Sequence, residues 1–152
     1  MGKFTHPNVT KSQMSHLLKK SEKELEDFFI DNIHDLAEHC KWGEIERIER
    51  QFVIPLKKGR IIADVMIWHK DGTGTCIEIK TGNNNRNDDL TAIGQLLFYG
   101  NIMEHSLGAM PRLILVSPSI KDESYTTVKR FNLPINFLGL TNDKCIYLSN
   151  VT

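Results

Sequence analysis

Two short apolar runs in the middle of the chain each carry charged residues. Residues 61–68 enclose Asp64, and residues 76–80 contain Glu78 and Lys80. Both runs are rich in Ile and are separated by an Asp-Gly-Thr-Gly turn signal, so they predict the two arms of a β-hairpin. Because the apolar positions are nearly continuous, we expect both strands to be covered on both faces of the sheet.

The turn near Asp71 sets the register of this hairpin, so that residues whose numbers sum to 142 lie opposite each other. Asp64 then faces Glu78, and the alternation of side chains places Lys80 on the same face. Opposed like charges destabilise a sheet, and a buried carboxylate without a partner is costly. A bridging cation, most simply a divalent metal, is therefore expected. The alternative is an exposed edge hairpin with a surface ion pair, which the flanking apolar residues disfavour.

Carboxylate oxygens with no His or Cys close by in sequence favour Mg²⁺ as the metal, with Mn²⁺ as its substitute, over Zn²⁺. Such an ion keeps several water molecules, and one of them can attack a phosphodiester. An adjacent lysine can orient that water or stabilise the transition state. This set of residues is typical of enzymes that hydrolyse nucleic acid.

The pattern Ala63-Asp64 followed by Glu78-Ile79-Lys80 resembles the core of the PD-(D/E)XK nucleases, the restriction-endonuclease-like superfamily. The first motif residue is often Pro in that family and is Ala63 here. The resemblance implies that Asp64 and Glu78 bind metal together with the backbone carbonyl of Ile79, and that Lys80 is the catalytic lysine. It also implies an α/β fold with an αβββαβ core, a mixed sheet flanked by helices.

Residues 21–29 are similar to the first helix of many members of this superfamily, in which a glutamate reaches into the metal site. Glu22 is the candidate for that glutamate. Alternatively it is a first-turn acid favoured by the helix dipole, beside a capping box formed by Ser21 and Glu24. Glu26 is the substitute candidate, although its neighbours favour a solvated position.

Residues 94–99 are similar to the Gln-x-x-x-Tyr helix of the RecB-like and NucS-like branches. Gln95 and Tyr99 are one helical turn apart and share a face, which suits a catalytic Gln95 and a substrate-binding Tyr99 directed at a phosphate or a bound water. We expect that face to cover the sheet, because Ala92 and Leu96 lie beside it. The alternative is a hydrogen bond on the helix surface.

Phosphate contacts are expected from local basic patches, because 19 basic and 19 acidic residues leave a formal net charge of zero. A neutral chain does not coat nucleic acid through bulk charge. The candidates for substrate binding are Lys57, Lys58 and Arg60, in the turn before the Asp64 strand, and Arg86, with Lys129 and Arg130 as a further basic pair. Arg86 lies in the polar loop 82–87, for which we expect a role in contacting substrate. For each residue the alternative is a solvated loop.

Length and composition agree with one domain. The chain has 152 residues, of which 40% are hydrophobic and 25% charged, as in ordinary globular domains. We expect an N-terminal extension at 1–20 and a single nuclease-like domain at 21–152.

Cellular location is inferred from cysteine usage and from the N-terminus. The three cysteines are far apart and odd in number, so reduced thiols are expected rather than disulfides or a zinc site. No signal peptide or membrane-spanning window is evident. We therefore expect a cytoplasmic protein without a membrane partner, in the host cytoplasm if a virus or mobile element encodes it.

The remaining pattern predicts the order of the elements. Helical stripes, apolar runs and turn signals predict helices near 21–40, 88–104 and 122–131, and strands at 45–56, 112–116, 135–140 and 145–148. A right-handed crossover would make strand 112–116 parallel to the Glu78 strand.

These features together predict a metal-dependent DNA endonuclease. Structure-selective cleavage, a role in repair or recombination, and a homodimer are open options. The alternative is a nucleic-acid-binding module that has lost cleavage, or a nuclease subunit of a larger recombination or transposition complex.

Overall fold

The computed structural model describes residues 21–81, 88–117, 120–140 and 145–148. They form four helices and six strands. In chain order these are α1 (Glu22–Asp31), α2 (Ile33–His39), β1 (Ile45–Pro55), β2 (Arg60–His69), β3 (Gly74–Ile79), α3 (Asp88–Leu107), β4 (Arg112–Val116), α4 (Asp122–Arg130), β5 (Ile135–Leu140) and β6 (Cys145–Leu148).

The six strands form one mixed sheet in the order β1-β2-β3-β4-β5-β6. The first three strands are antiparallel, β3, β4 and β5 are parallel, and β6 is antiparallel to β5. Helix α3 supplies the crossover that makes β3 and β4 parallel, as the sequence predicted. The expected αβββαβ order and the mixed sheet flanked by helices are therefore confirmed.

The hairpin register is also confirmed. Val65 pairs with Ile77 and Met66 with Cys76, and both pairs sum to 142. Every residue of β3 is buried, because this strand lies in the middle of the sheet with helices on both faces. A nearly continuous apolar run is the sequence signature of such a strand.

Two hydrophobic clusters hold helices against opposite faces of the sheet. Helices α1 and α2 pack on one face, through residues such as Leu25, Phe29, Ile33, Val65, Ile77 and Ile114. Helices α3 and α4 pack on the other, through residues such as Leu96, Met103, Val128, Met66, Leu115 and Phe137. The sheet is thus the middle of three layers.

The helix expected over 21–40 is interrupted at Asn32. The Asn32 side chain donates a hydrogen bond of 2.8 Å to the carbonyl oxygen of Phe28, and its backbone leaves the helical conformation at φ −108° and ψ 11°. Asparagine competes with the helix in this way because its short amide reaches the neighbouring backbone. The apolar stripe continues into α2, so the periodicity alone did not reveal the break.

Two other expectations concern cysteines and membranes. Among the side chains that the structure describes, Cys40 and Cys76 are free thiols. No helix in the described part of the chain combines the length and apolar character needed to cross a membrane.

Candidate active site

The charged residues of the hairpin lie at one edge of the sheet, where β2 begins and the parallel strands β3, β4 and β5 end. Asp64 is in the first half of β2, Glu78 is next to last in β3, and Lys80 follows β3 directly. The carboxyl ends of parallel strands are where α/β sheets place their ligands.

Asp64 is 9% exposed, and one carboxylate oxygen, Oδ2, accepts a hydrogen bond of 2.7 Å from the backbone N–H of Ile79. The paired residues of β2 and β3 end at Val65 and Ile77. The Asp64 side chain therefore replaces the backbone as hydrogen-bond acceptor at the end of β3. This contact holds the carboxylate between the two strands.

Glu78 is 3% exposed. Its Oε2 lies 3.5 Å from Nζ of Lys80, whereas its Oε1 is buried without a hydrogen-bond partner. The structure thus brings Asp64, Glu78 and Lys80 together, as expected, although Asp64 lies just beyond the last pair of the hairpin ladder. It also leaves one buried carboxylate oxygen without a hydrogen-bond partner.

Burial sets the electrostatics of the pair. Loss of hydration raises the pKa of Asp64 to about 6, and the hydrogen bond from Ile79 only partly opposes this. Loss of hydration, followed by the charge of Asp64, raises the pKa of Glu78 to about 7. Near neutral pH the protein therefore holds two carboxylates that resist ionisation, beside the single positive charge of Lys80.

Glu22 lies at the start of α1 and is exposed. Its charge contributes to the raised pKa of Asp64, so the residue is close to the candidate site. The expected capping box is also present, because Ser21 and Glu24 exchange backbone and side-chain hydrogen bonds. The helix-dipole and site interpretations of Glu22 are both compatible with this position.

The expectation that Glu26 is solvated is wrong. Glu26 is 7% exposed and accepts a hydrogen bond from Nε of Arg50 on β1. The Nε2 atom of Gln51 lies 3.5 Å from its other oxygen. The packing of α1 against β1 buries the carboxylate, and a buried carboxylate requires such a partner. Sequence reasoning missed Arg50 and Gln51 because their partner is more than 20 residues away in the chain.

Gln95 and Tyr99 lie on the face of α3 that covers the sheet, as expected, and Ala92 and Leu96 are buried beside them. The Oε1 atom of Gln95 is buried without a hydrogen-bond partner. Tyr99 donates a hydrogen bond of 3.2 Å to the carbonyl oxygen of Ile62, two residues before Asp64. Its hydroxyl thus supports β2, and substrate binding by Tyr99 stays a prediction.

The basic candidates lie farther from the acids. Lys57 and Lys58 are exposed in the turn between β1 and β2, and Arg60 is exposed at the first position of β2. Arg60 precedes Asp64 by four residues, which is about 13 Å along an extended strand. Contact between Arg60 and the acidic pair is not expected at that separation, although a bound polymer could reach both. Arg86, the loop 82–87 and the segment 1–20 lie outside the described residues.

The donor set suits a hard divalent cation. No group of three or more His, Cys, Asp or Glu side chains with metal-binding geometry occurs in the parts of the chain that the structure describes. Mg²⁺ is commonly bound through one or two carboxylates and keeps several water molecules. The pair of Asp64 and Glu78, with the buried unpartnered Oε1 of Glu78, fits that requirement and lacks the ligands of a zinc site.

Comparison with known proteins identifies the fold. The sequence matches no protein-family model, and no curated protein is significantly similar to it. The structure is similar to that of a repair endonuclease from Pyrococcus abyssi, with a TM-score of 0.56 and 26% identity over 81% of this chain and 48% of that chain. The protein has the restriction-endonuclease-like nuclease fold.

A second solved structure agrees on the fold. It is an EndoMS complex with double-stranded DNA, similar at a TM-score of 0.50 and 24% identity over 75% of this chain and 44% of that chain. The chain thus spans about half the length of the solved structures that it matches.

Proposed function

We propose that the protein is a metal-dependent nuclease that hydrolyses phosphodiester bonds in DNA. One observation carries the proposal: Asp64 and Glu78 are buried together, next to Lys80, with one oxygen of Glu78 unpartnered. The likeness to a repair endonuclease and to a protein solved with double-stranded DNA supports the choice of reaction and substrate.

Burial and charge make the ionised acid pair unfavourable without a cation. Burial first, and then the negative charge of neighbouring carboxylates, raises the pKa values of both acids and makes their ionised forms unfavourable. The penalty is removed when a divalent cation neutralises the pair. A site that is unfavourable when empty and favourable when loaded is a site for an ion.

In this proposal the carboxylates of Asp64 and Glu78 hold Mg²⁺ or Mn²⁺, together with the backbone carbonyl of Ile79. The bound ion supplies positive charge to the phosphate and lowers the pKa of a water molecule. Lys80, whose side chain is 19% exposed, donates a hydrogen bond to the attacking water or to a phosphate oxygen. Its ammonium also stabilises the negative charge that develops on that phosphate.

Two further residues complete the proposed site. The buried carbonyl oxygen of the Gln95 side chain accepts a hydrogen bond from a water molecule and orients it. Glu22 adds an acidic group at the solvent side, where its charge already acts on Asp64. Lys57, Lys58 and Arg60 bind phosphates farther along the DNA.

We also propose that the enzyme selects DNA structure or ends rather than a long base sequence. All helices and strands that the structure describes belong to the central sheet and its two covering layers, which leaves no separate recognition element among them. Action as a homodimer stays a prediction.

The test is cleavage of supercoiled plasmid, flap and four-way-junction DNA in Mg²⁺, in Mn²⁺ and in EDTA. We expect cleavage only with metal, and a loss of roughly 100-fold or more in rate for Asp64→Ala and Lys80→Ala, as for other groups that stabilise transition-state charge. Asp35→Ala and Lys70→Ala, at exposed positions on α2 and directly after β2, are the matched controls and should cut at the wild-type rate.

Two outcomes would overturn the proposal. One is undiminished cleavage by folded Asp64→Ala protein, which would place the reaction elsewhere. The other is DNA binding by the wild type without metal-dependent cleavage of any of the three substrates, which would favour the non-catalytic binding module.

A further inference from the structure

Gln51, in the middle of β1, has a backbone conformation unlike that of a strand. Its φ is +53°, in the left-handed region. Lys41 and Asn132 are the other non-glycine residues with positive φ in the described ranges, and each follows the C-cap of a helix, where this conformation is common. Gln51 has no such explanation, since it lies inside an 11-residue strand.

The pairing of β1 with β2 is interrupted at the same position. Arg50 pairs with Val65 and Phe52 pairs with Ala63, but the intervening Gln51 and Asp64 do not form a pair. The residue numbers of the pairs on both sides sum to 115, so no residue is inserted. The interruption is therefore a local rotation of the strands and not a bulge of the usual kind.

Side chains change faces at this position in both strands. Alternate residues of one strand should share a face. Ile48 and Val65 nevertheless belong to the cluster beneath α1 and α2, whereas Phe52 and Ala63, an even number of residues away, pack against the cluster beneath α3 and α4. Both strands therefore rotate about their own axes between these residues, at Gln51 and Asp64, so that their side chains exchange faces of the sheet.

The rotation has a direct consequence for Asp64. Pairing between β2 and β3 stops at Val65, and the backbone N–H of Ile79 is then bound by the Asp64 carboxylate instead of by a β2 carbonyl. An Asp64 in a regular strand would project from one face of the sheet. In the rotated strand its carboxylate reaches the end of β3.

We infer that Gln51 is a positioning residue, whose left-handed backbone turns β2 over at Asp64 and so directs the Asp64 carboxylate toward Ile79 and Glu78. Irregular strand geometry of this kind is known to redirect side chains beside active sites. The catalytic consequence rests on the proposed nuclease function, whereas the structural consequence does not. The Gln51 amide also lies 3.5 Å from a carboxylate oxygen of Glu26, so the test must separate the side chain from the backbone.

Substitutions at this position separate the backbone from the side chain. Glycine adopts positive φ freely, and a β-branched residue does so least readily. We expect Gln51→Gly to cut DNA within about twofold of the wild-type rate, because the geometry is kept even though the amide is lost. Gln51→Val should lower kcat by about 100-fold, as for a reacting group displaced by about 1 Å, and should raise the Mg²⁺ concentration needed for half-maximal cleavage.

Hydrogen exchange at the Ile79 amide reports the positioning without any need for activity. It should stay slow in Gln51→Gly and become fast in Gln51→Val, at a temperature where circular dichroism shows both variants folded. Val53→Gly is the matched control, at a position of β1 with ordinary pairing. It should lower Tm by roughly 2–4 °C, as for glycine inside a strand of a chain of this size, whereas Gln51→Gly should not lower it.

Two results would overturn the inference. If Gln51→Gly loses as much activity and Ile79 protection as Gln51→Val, the side-chain amide is what matters. If Gln51→Val keeps both, the backbone conformation has no positioning role. If wild-type protein cuts no DNA, the proposed function fails, and the exchange and Tm measurements still decide whether Gln51 positions Asp64.

Discussion

Replacing Asp64 with asparagine should make the metal-free protein more stable. The substitution keeps the shape of the side chain and an oxygen that can accept the hydrogen bond from Ile79, but it removes a buried negative charge beside Glu78. In an ordinary buried position the loss of a charged group with a hydrogen bond destabilises a protein. A gain in stability would therefore show that the ionised Asp64 destabilises the metal-free protein.

The expected gain follows from the pKa of Asp64. Burial raises that pKa from 3.8 to about 6, a difference of about two pH units, and each unit corresponds to about 1.4 kcal/mol. The ionised carboxylate thus destabilises the fold by roughly 3 kcal/mol at pH 8. The asparagine amide nitrogen must also be buried, so we expect a net gain of about 1–3 kcal/mol, or a rise in Tm of roughly 3–10 °C.

The gain should depend on pH in a definite direction. Between pH 3.8 and about 6 the folded wild type holds the Asp64 proton more tightly than the unfolded chain does, so its free energy of unfolding falls as the pH rises through this window. The asparagine variant lacks this contribution. The difference between variant and wild type should therefore be small below pH 4 and complete by pH 7 to 8.

Thermal unfolding at pH 4, 6 and 8, in EDTA and in Mg²⁺, measures these effects. Mg²⁺ should raise the Tm of the wild type and leave that of Asp64→Asn almost unchanged, since ligands stabilise only the state that binds them. An Asp64→Asn protein that is less stable than the wild type at pH 8 in EDTA, or a difference that does not vary with pH, would refute the electrostatic reasoning.

Two further predictions concern the basic residues. Arg50→Met leaves Glu26 buried without its cation and should lower the free energy of unfolding by about 1–3 kcal/mol in urea titrations. Arg47→Met breaks an exposed ion pair and should lower the free energy of unfolding by less than about 1 kcal/mol. Equal losses of unfolding free energy in the two variants would show that burial of Glu26 adds nothing to its ion pair with Arg50. Replacing both Lys57 and Lys58 with alanine should lower the slope of log affinity against log salt concentration by about 1–2 in DNA-binding titrations. The cleavage rate at saturating DNA should not change. An unchanged slope would place these lysines away from the DNA.

The features that sequence predicted well are those encoded by neighbouring residues. The turn between β2 and β3 and the apolar runs beside it fix the register of the hairpin as far as Val65 and Ile77, the residues next to Asp64 and Glu78. The bounds of β4 follow from a single apolar run, Arg112–Val116. Turn chemistry and side-chain alternation are local properties, so one sequence is enough to show them.

The features that sequence did not predict depend on distant contacts. Glu26 is buried because Arg50 meets it across the interface between α1 and β1, and nothing near Glu26 in the chain indicates that pairing. Asp89, in the first turn of α3, is buried and accepts a hydrogen bond from the backbone N–H of Lys121, which is more than 30 residues away in the chain. The left-handed Gln51 has no local signature at all, because glutamine is not a residue that favours positive φ.

Whether the buried acids bind a divalent cation is tested most directly by a crystal of the wild-type protein soaked in MnCl₂, with anomalous diffraction recorded for manganese. We predict an anomalous peak within about 2.0–2.6 Å of a carboxylate oxygen of both Asp64 and Glu78. A map without that peak, in which the two carboxylates share a proton or turn away from each other, would contradict the metal site on which the proposed nuclease depends.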